Sequence, residues 1–85
     1  MAAITIYSKP ACPYCDRAKL LFRQKGQTWT EINVQADPSQ RAEMLAKAGG
    51  RTTVPQIFIN GIHIGGCDDL YALDKKGELD SLLKN

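Results

Sequence analysis

The sequence predicts an α/β fold in which one four-stranded mixed β-sheet carries helices on both faces. Two short β-rich segments flank an amphipathic helical segment within residues 3–34, which indicates a βαβ unit with two parallel strands. An Asn-Gly dipeptide at 60–61 separates two apolar runs, a strong signal for an antiparallel hairpin. With the remaining helical segments, the predicted order is β-α-β-α-β-β-α-α, in a single domain that spans residues 1–85.

The first strand is predicted over residues 3–7, where apolar and polar side chains alternate. After a short loop, a helix is predicted from about Pro13 to Lys25, because proline suits the first helical turn and Gly26 suits the end. Its buried face is predicted from residues at helical spacing, namely Cys15, Ala18, Leu21 and Phe22. The second strand is predicted over residues 28–34.

The second predicted helix begins at Asp37-Pro38, where the aspartate suits the N-cap and the proline suits the first helical position. The paired glycines at 49–50 end this helix. We expect its inward stripe to be formed by the apolar residues Ala42, Leu45 and Ala46.

The remaining elements follow from turn residues and apolar spacing. Strands are predicted at 56–59 and 62–64, on either side of the Asn-Gly turn. Asp68 or Asp69 is expected to cap a third helix, and a last helix is predicted to begin at Gly77.

Composition and charge exclude several classes of protein. The net charge is +2, and no basic stripe with interleaved aromatic residues indicates nucleic-acid binding. No apolar run approaches the roughly 18 residues of a membrane-spanning helix. The chain has three cysteines, an odd number, and no recognisable secretory signal begins it. We therefore expect a cytoplasmic monomer that binds neither nucleic acid nor membranes.

The most informative motif is Cys12-Pro13-Tyr14-Cys15, at the junction of the first strand and the first helix. Residues three apart on a helix are neighbours, so these two sulfurs can form a disulfide with little backbone movement. Cys12 lies at the helix N-terminus, where unpaired amides favour an anion, and we predict that its thiolate is the nucleophile. Cys15 lies one turn further along the buried face and is predicted to be the resolving thiol.

A metal site is the alternative interpretation of the same cysteines. C-x-x-C is half of a zinc site, and His63 with Cys67 offers a second half. However, no second C-x-x-C is present, and a C-x-x-C that begins a helix beside a βαβ unit is typical of redox proteins. We therefore expect no metal and no permanently bound cofactor.

Two further segments leave alternatives open when only their residues are considered. Val54 must be extended because it precedes Pro55, and this proline makes either a cis turn or a simple corner into the next strand. The glycines at 65–66 and the helix start behind them form either an ordinary capped turn or a ligand site. Such a site would suit a molecule with a carboxylate and an amino group, the latter on Asp68.

These segments occur in the same order and approximate spacing as the motifs of the dithiol glutaredoxins. The chain resembles this family over nearly its whole length, through residues 12–15, 53–55 and 65–70, and its short length is similar to the bacterial glutaredoxin 3 type. The resemblance implies a thioredoxin-like fold in which Pro55 is cis and lies beside the C-x-x-C motif. It also implies a thiol–disulfide oxidoreductase that uses glutathione as its electron-donating co-substrate.

The resemblance further implies a groove for glutathione. Val54 is implied to pair its backbone with the glutathione cysteine, Asp68 to bind the γ-glutamyl ammonium, and Lys9 to pair with the glycine carboxylate. The residues implied to line the groove are Lys9, Tyr14, Thr53, Val54, Pro55, Gly66, Cys67 and Asp68.

The implied substrates are glutathionylated proteins and protein disulfides. Two other functions would use the same cysteines: a hydrogen donor that takes electrons from a flavin reductase, and a carrier that holds an iron–sulfur cluster or zinc through Cys12 and glutathione. The implied groove argues against the first function. The proline, the tyrosine and the second thiol of the motif argue against the second.

Overall fold

The structure is a computed structural model that describes residues 2–84. Its elements follow the predicted order β-α-β-α-β-β-α-α. They are β1 (Ile4–Ser8), α1 (Pro13–Gln24), β2 (Thr30–Asn33), α2 (Pro38–Lys47), β3 (Gln56–Ile59), β4 (Ile62–Gly65), α3 (Cys67–Lys75) and α4 (Glu78–Leu83). Within residues 2–84, no helix has the length and apolar character that crossing a bilayer would require.

The four strands form one mixed sheet in the order β2-β1-β3-β4. β1 runs parallel to β2 and antiparallel to β3, and β3 runs antiparallel to β4. The predicted four-stranded mixed sheet is therefore confirmed. β2 is shorter than predicted, because the ladder with β1 covers only Thr30 to Asn33.

Alternation along the strands places apolar side chains on both faces of the sheet. One face packs against α1, α3 and α4, and its buried residues include Ile4, Ile6, Ala18, Leu21, Phe22, Ile57, Ile59, Leu70, Leu79 and Leu83. The other face packs against α2, through Tyr7, Val34, Met44, Ala48 and Phe58. Helices cover both faces, as predicted, and the buried face predicted for α1 is confirmed.

The buried face of α2 differs from the prediction. Met44 and Ala48 are buried, whereas Ala42 and Ala46 are exposed and Leu45 is only half-buried. The predicted and observed buried faces are related by a rotation of α2 about its own axis. Alanine is small enough to lie on either the buried or the exposed side, so the alanines of this segment do not determine the rotation. The long Met44 side chain fills more of the space above Tyr7 and Phe58 than an alanine would, which favours the observed rotation.

The start of α3 also differs from the prediction. Gly66, and not an aspartate, is the N-cap residue. Asp69 stabilises the helix start from three residues further on, where its carboxylate accepts a hydrogen bond of 2.9 Å from the Gly66 amide. The prediction for α2 is correct, since Asp37 is its N-cap and accepts a hydrogen bond of 3.0 Å from the Ser39 amide.

Candidate active site

The sheet register brings three distant segments to one edge of the molecule. Tyr7 near the end of β1 pairs with Gln56 at the start of β3, and Ile57 pairs with Gly65 at the end of β4. Because β3 runs antiparallel to both neighbours, the loop that follows β1, the loop that precedes β3 and the turn that follows β4 lie together. These segments carry the three predicted motifs.

Cys12 is the N-cap residue of α1 and has an extended backbone, with φ −113° and ψ 102°. Its sulfur accepts a hydrogen bond of 3.2 Å from the Cys15 amide. It also lies 4.0 Å from the carbonyl oxygen of Val54. The amide donor and the helix N-terminus both favour negative charge on this sulfur.

Cys15 lies one turn further along α1, with 1% of its surface exposed, against 6% for Cys12. Burial, followed by the hydrogen bond to Cys12, raises the pKa of Cys15 to about 12. At neutral pH this residue is therefore a buried thiol. The two cysteines are close together but occupy chemically different environments.

The Val54–Pro55 peptide bond is cis, as the family resemblance implied. The segment before it is held by Gln56, whose side chain is fully buried. The Gln56 amide nitrogen donates hydrogen bonds to the carbonyl oxygen of Thr53 at 2.9 Å and to its hydroxyl at 3.3 Å. The Gln56 amide oxygen lies 2.7 Å from Nε2 of His63. A buried side chain thus fixes the residues that border the cysteine motif.

A cavity of about 340 Å³ lies beside this segment. Its lining residues are Tyr14, Arg51, Thr53, Val54, Pro55, Gly66, Cys67, Asp68 and Asp69. Seven of the eight residues predicted to line a groove therefore surround one cavity. Lys9 lines a neighbouring cavity of about 590 Å³ instead, and both cavities share Thr53 and Val54.

The sequence prediction missed an ion pair that forms one wall of the smaller cavity. The Arg51 guanidinium lies 3.1 Å from the Asp69 carboxylate. The hydrogen bond from the Gly66 amide, with a further contribution from Arg51, lowers the pKa of Asp69. The sequence signal for Asp69 is its position at the start of the third predicted helix, which indicates a capping role but not a partner 18 residues earlier.

Arg41 is the second residue that the sequence prediction missed, and it lines the larger cavity together with Lys9. Neither cation takes part in an ion pair between residues 2–84. Arg41 lies on α2, far from every motif in the sequence, so only the packing of α2 beside the sheet brings it to Lys9. This end of the groove therefore offers two cations to an anionic group.

Within residues 2–84, the cysteines of the C-x-x-C motif do not come together with His63 and Cys67 to form a metal site. No three His, Cys, Asp or Glu side chains of residues 2–84 are grouped so that they could hold a metal ion. His63 instead contacts Gln56 and packs against the ring of Phe58, with 4.9 Å between the ring centroids. Cys67 is buried at the start of α3, and burial raises the pKa of its thiol.

Comparisons with known proteins agree with this geometry. The family model described as Glutaredoxin matches residues 4–64. The chain is 57% identical over 84 residues to glutaredoxin 3 of Escherichia coli K12. The aligned residues cover 99% of this chain and 100% of that relative. A solution structure of glutaredoxin from Brucella melitensis is 56% identical, with a TM-score of 0.85 over 99% of this chain and 90% of that one.

A crystal structure of a buckwheat glutaredoxin–glutathione complex is 35% identical, with a TM-score of 0.89 over 98% of this chain and 77% of that one. These similarities confirm the thioredoxin-like α/β fold. The family model matches most of the chain, and the bacterial relative matches almost all of it. The chain therefore belongs to the glutaredoxin family, as a thiol–disulfide oxidoreductase of the dithiol, glutaredoxin 3-like type.

Proposed function

We propose that this chain is a glutathione-dependent oxidoreductase that reduces protein–glutathione mixed disulfides and protein disulfides through Cys12 and Cys15. The observation that carries this proposal is the unequal setting of the two sulfurs. The Cys12 sulfur accepts an amide hydrogen bond at a helix N-terminus. The Cys15 thiol is buried, and its pKa is raised to about 12. One sulfur is therefore suited to attack and the other to wait as a thiol.

With a glutathionylated protein, the reaction needs only Cys12. Its thiolate attacks the glutathione sulfur, a Cys12–glutathione disulfide forms, and the bond to the protein sulfur breaks. The protein thiolate leaves and takes a proton from water. A second glutathione thiolate then attacks the glutathione sulfur on Cys12, so that glutathione disulfide forms and the Cys12 thiolate is regenerated.

With a protein disulfide, the reaction needs both cysteines. Cys12 attacks one substrate sulfur, and the other substrate sulfur leaves as a thiolate. Cys15 loses its proton and attacks the Cys12 sulfur, which forms the Cys12–Cys15 disulfide and releases the second substrate thiolate. Two glutathione molecules then reduce the internal disulfide.

Glutathione is proposed to lie across Thr53 and Val54, which border both cavities. The backbone of Val54 would pair with the glutathione cysteine as an added strand. Asp68 would bind the γ-glutamyl ammonium beside the amides that begin α3, with Gly66 and Cys67 beneath it. At the other end, Lys9 and Arg41 would bind the glycine carboxylate. The relative crystallised with glutathione supports the choice of ligand.

The remaining parts of the proposal concern the setting of the enzyme. Tyr14 is 55% exposed at the rim of the smaller cavity, where it would contact the bound thiol.

The three cysteines are free in the structure, which suits a reducing compartment, and we propose the cytoplasm. We also propose that the chain acts as a monomer and uses glutathione as a co-substrate without a permanent cofactor.

The test is glutathione-dependent reduction of a glutathionylated peptide and of a protein disulfide by the wild type, Cys12→Ser and Cys15→Ser. Cys12→Ser should lose both activities. Cys15→Ser should keep the first activity and lose the second. Activity that survives Cys12→Ser, or equal loss of both activities in Cys15→Ser, would contradict the proposal. Stoichiometric iron or zinc in the purified wild type would instead favour the carrier function.

A further inference from the structure

His63 stands at one end of a hydrogen-bonded chain that runs from β4 to the segment before Pro55. It lies directly opposite Phe58 of β3, and the two rings are tilted by 31° with 4.9 Å between their centroids. Gln56 and Phe58 are two residues apart on β3, so their side chains point to the same face of the sheet. The His63 ring therefore packs on Phe58 and reaches Gln56, whose amide oxygen lies 2.7 Å from Nε2.

The Thr53 carbonyl fixes the direction of each hydrogen bond in this chain. A carbonyl oxygen can only accept, so the Gln56 atom that faces it at 2.9 Å is the amide nitrogen. The same nitrogen donates to the Thr53 hydroxyl at 3.3 Å. The Gln56 amide oxygen therefore faces His63, and because this oxygen also only accepts, Nε2 of His63 must carry a hydrogen. In the neutral ring, the single proton is then on Nε2 and not on Nδ1.

The burial of Gln56 makes the donor from His63 hard to replace. Gln56 is 0% exposed, and among residues 2–84 the one partner of its amide oxygen is Nε2 of His63. A buried acceptor without a donor is costly, whereas an exposed acceptor is hydrated. Without the His63 donor, the Gln56 side chain would rotate towards another donor and its hydrogen bonds to Thr53 would weaken.

Thr53 is the residue that this chain holds in place. It lines both cavities, and it is followed by Val54, whose carbonyl oxygen lies 4.0 Å from the Cys12 sulfur. A displacement of Thr53 would change the groove in which glutathione is proposed to lie. It would not break the hydrogen bond from the Cys15 amide to the Cys12 sulfur, because both atoms belong to α1 and its N-cap. Binding should therefore suffer more than the chemical step.

We infer that His63 is a positioning residue for the glutathione groove: its Nε2–H group holds Gln56 in the orientation that fixes Thr53. The inference deepens the proposed function and rests on it. His63 is not among the residues of the described chain that line the two cavities, so it acts through Gln56 and not by contact with the ligand.

The test separates the hydrogen bond of His63 from the packing of its ring. His63→Phe keeps an aromatic ring on Phe58 and removes the donor. His63→Gln removes the ring and keeps an N–H group at a similar reach. Ile62→Thr is the matched control, because it changes a neighbouring residue of β4 that is 55% exposed and keeps a β-branched side chain. Circular dichroism and thermal unfolding would verify that each variant folds.

The first readout is the steady-state kinetics of glutathione-dependent reduction of a glutathionylated peptide. His63→Phe should raise KM by about fivefold with little change in kcat, because it leaves a buried acceptor without its donor. His63→Gln and Ile62→Thr should stay near the wild-type KM. An unchanged KM in His63→Phe would overturn the inference. An equal rise in His63→Gln would also overturn it, since the effect would then come from the packing of the ring.

The second readout is a double-mutant cycle between positions 63 and 56. Gln56→Ala removes the link to Thr53, so His63→Phe should add no further rise in KM in that background. Independent, multiplicative increases in KM would show that His63 does not act through Gln56 and would overturn the inference.

The third readout is 1H–15N NMR of the imidazole ring in the wild-type protein without glutathione. The neutral His63 ring should carry its proton on Nε2, and the population of this tautomer should decrease in Gln56→Ala, which removes the acceptor. A proton on Nδ1, or the same tautomer population in both proteins, would overturn the inference. This readout needs no glutathione, so a failure of the inference can be distinguished from a failure of the proposed function.

Discussion

The backbone amide of Cys15 donates a hydrogen bond of 3.2 Å to the sulfur of Cys12. The second residue of the motif therefore stabilises the first through its backbone, while its own sulfur is buried. The two-residue spacer makes this possible, because it places Cys12 at the N-cap of α1 and Cys15 at the third helical position. The asymmetry between the two thiols thus follows from where the helix begins.

Because the pKa of Cys15 is raised, the free energy of unfolding of the reduced protein should decrease at alkaline pH. A thiol whose folded pKa lies above its unfolded value of 9.0 binds its proton more tightly in the folded state. Its contribution to stability is complete below about pH 9 and decreases as the pH rises towards 12. Urea unfolding of the reduced protein at pH 7.5, 9 and 10.5 should show this decrease, and Cys15→Ser should show a smaller one. Parallel pH dependences in the two proteins would exclude Cys15 as the cause.

Gln56→Ala should weaken both the fold and the groove. The substitution leaves the Thr53 carbonyl oxygen without its donor and creates a small cavity, at a cost of about 2–3 kcal/mol in the free energy of unfolding. Because Thr53 borders both cavities, KM for a glutathionylated peptide should rise more than kcat falls.

The matched control for this prediction is Gln24→Ala, at an exposed position of α1, which should change the unfolding free energy by less than about 0.5 kcal/mol. Chemical denaturation and steady-state kinetics measure the two effects. An unchanged KM in Gln56→Ala would show that the Thr53–Val54 segment keeps its position without the buried amide.

Lys9→Met and Arg41→Met should each raise KM for glutathione by about fivefold, with little change in kcat. Both cations line the larger cavity and have no ion-pair partner among residues 2–84, so each is available to a carboxylate. Salt screens such contacts, and the difference from the wild type should decrease between 20 mM and about 500 mM salt. Lys47→Met removes a cation that already pairs with Glu43 at 2.7 Å, and KM should stay at its wild-type value. A salt-independent KM would argue against a carboxylate at this end.

Gly65→Ala should destabilise the protein more than Gly26→Ala does. Both glycines have positive φ, 115° and 71°, so alanine is strained at both positions, and more strongly at Gly65, whose φ lies outside the left-handed helical region. An added Cβ at Gly26 meets no other group within 4 Å, whereas at Gly65 it overlaps the Asp69 carboxylate and comes within 2.8 Å of the Arg51 guanidinium.

The excess destabilisation of Gly65→Ala over Gly26→Ala should be about 1–3 kcal/mol, because the backbone strain is larger at Gly65 and the Arg51–Asp69 pair must also move. Thermal unfolding of both variants measures it. Equal destabilisation would mean that the ion pair adjusts freely and contributes little to the shape of the smaller cavity.

Local patterns predicted most of the fold, and the family resemblance supplied most of the candidate site. The spacing of Cys15 with its apolar neighbours predicted the buried face of α1, and the Asn-Gly dipeptide predicted the hairpin. Seven of the residues that line the smaller cavity are ones that the family resemblance implied for a groove, and the cis peptide bond before Pro55 also agrees with that resemblance.

The rest depends on contacts between segments that no local pattern contains. The rotation of α2 about its axis depends on how Met44 fills the space above the sheet. The spacing of apolar residues within α2 does not determine this rotation. Arg51 and Asp69 are 18 residues apart in the chain, and their pairing exists only because β3 and β4 bring their loops together. Arg41 joins Lys9 for the same reason, through the placement of α2 beside the sheet.

The register that pairs Tyr7 with Gln56 and Ile57 with Gly65 has a consequence for affinity. The segments that border the smaller cavity adjoin strands of one sheet, so the glutathione groove proposed above would exist before its ligand binds. A tripeptide has too few atoms to supply the free energy needed to order mobile loops, so a groove built on a sheet edge would suit the proposed ligand. In the proposed reaction, a fixed sheet edge would allow glutathione to bind briefly, react and depart.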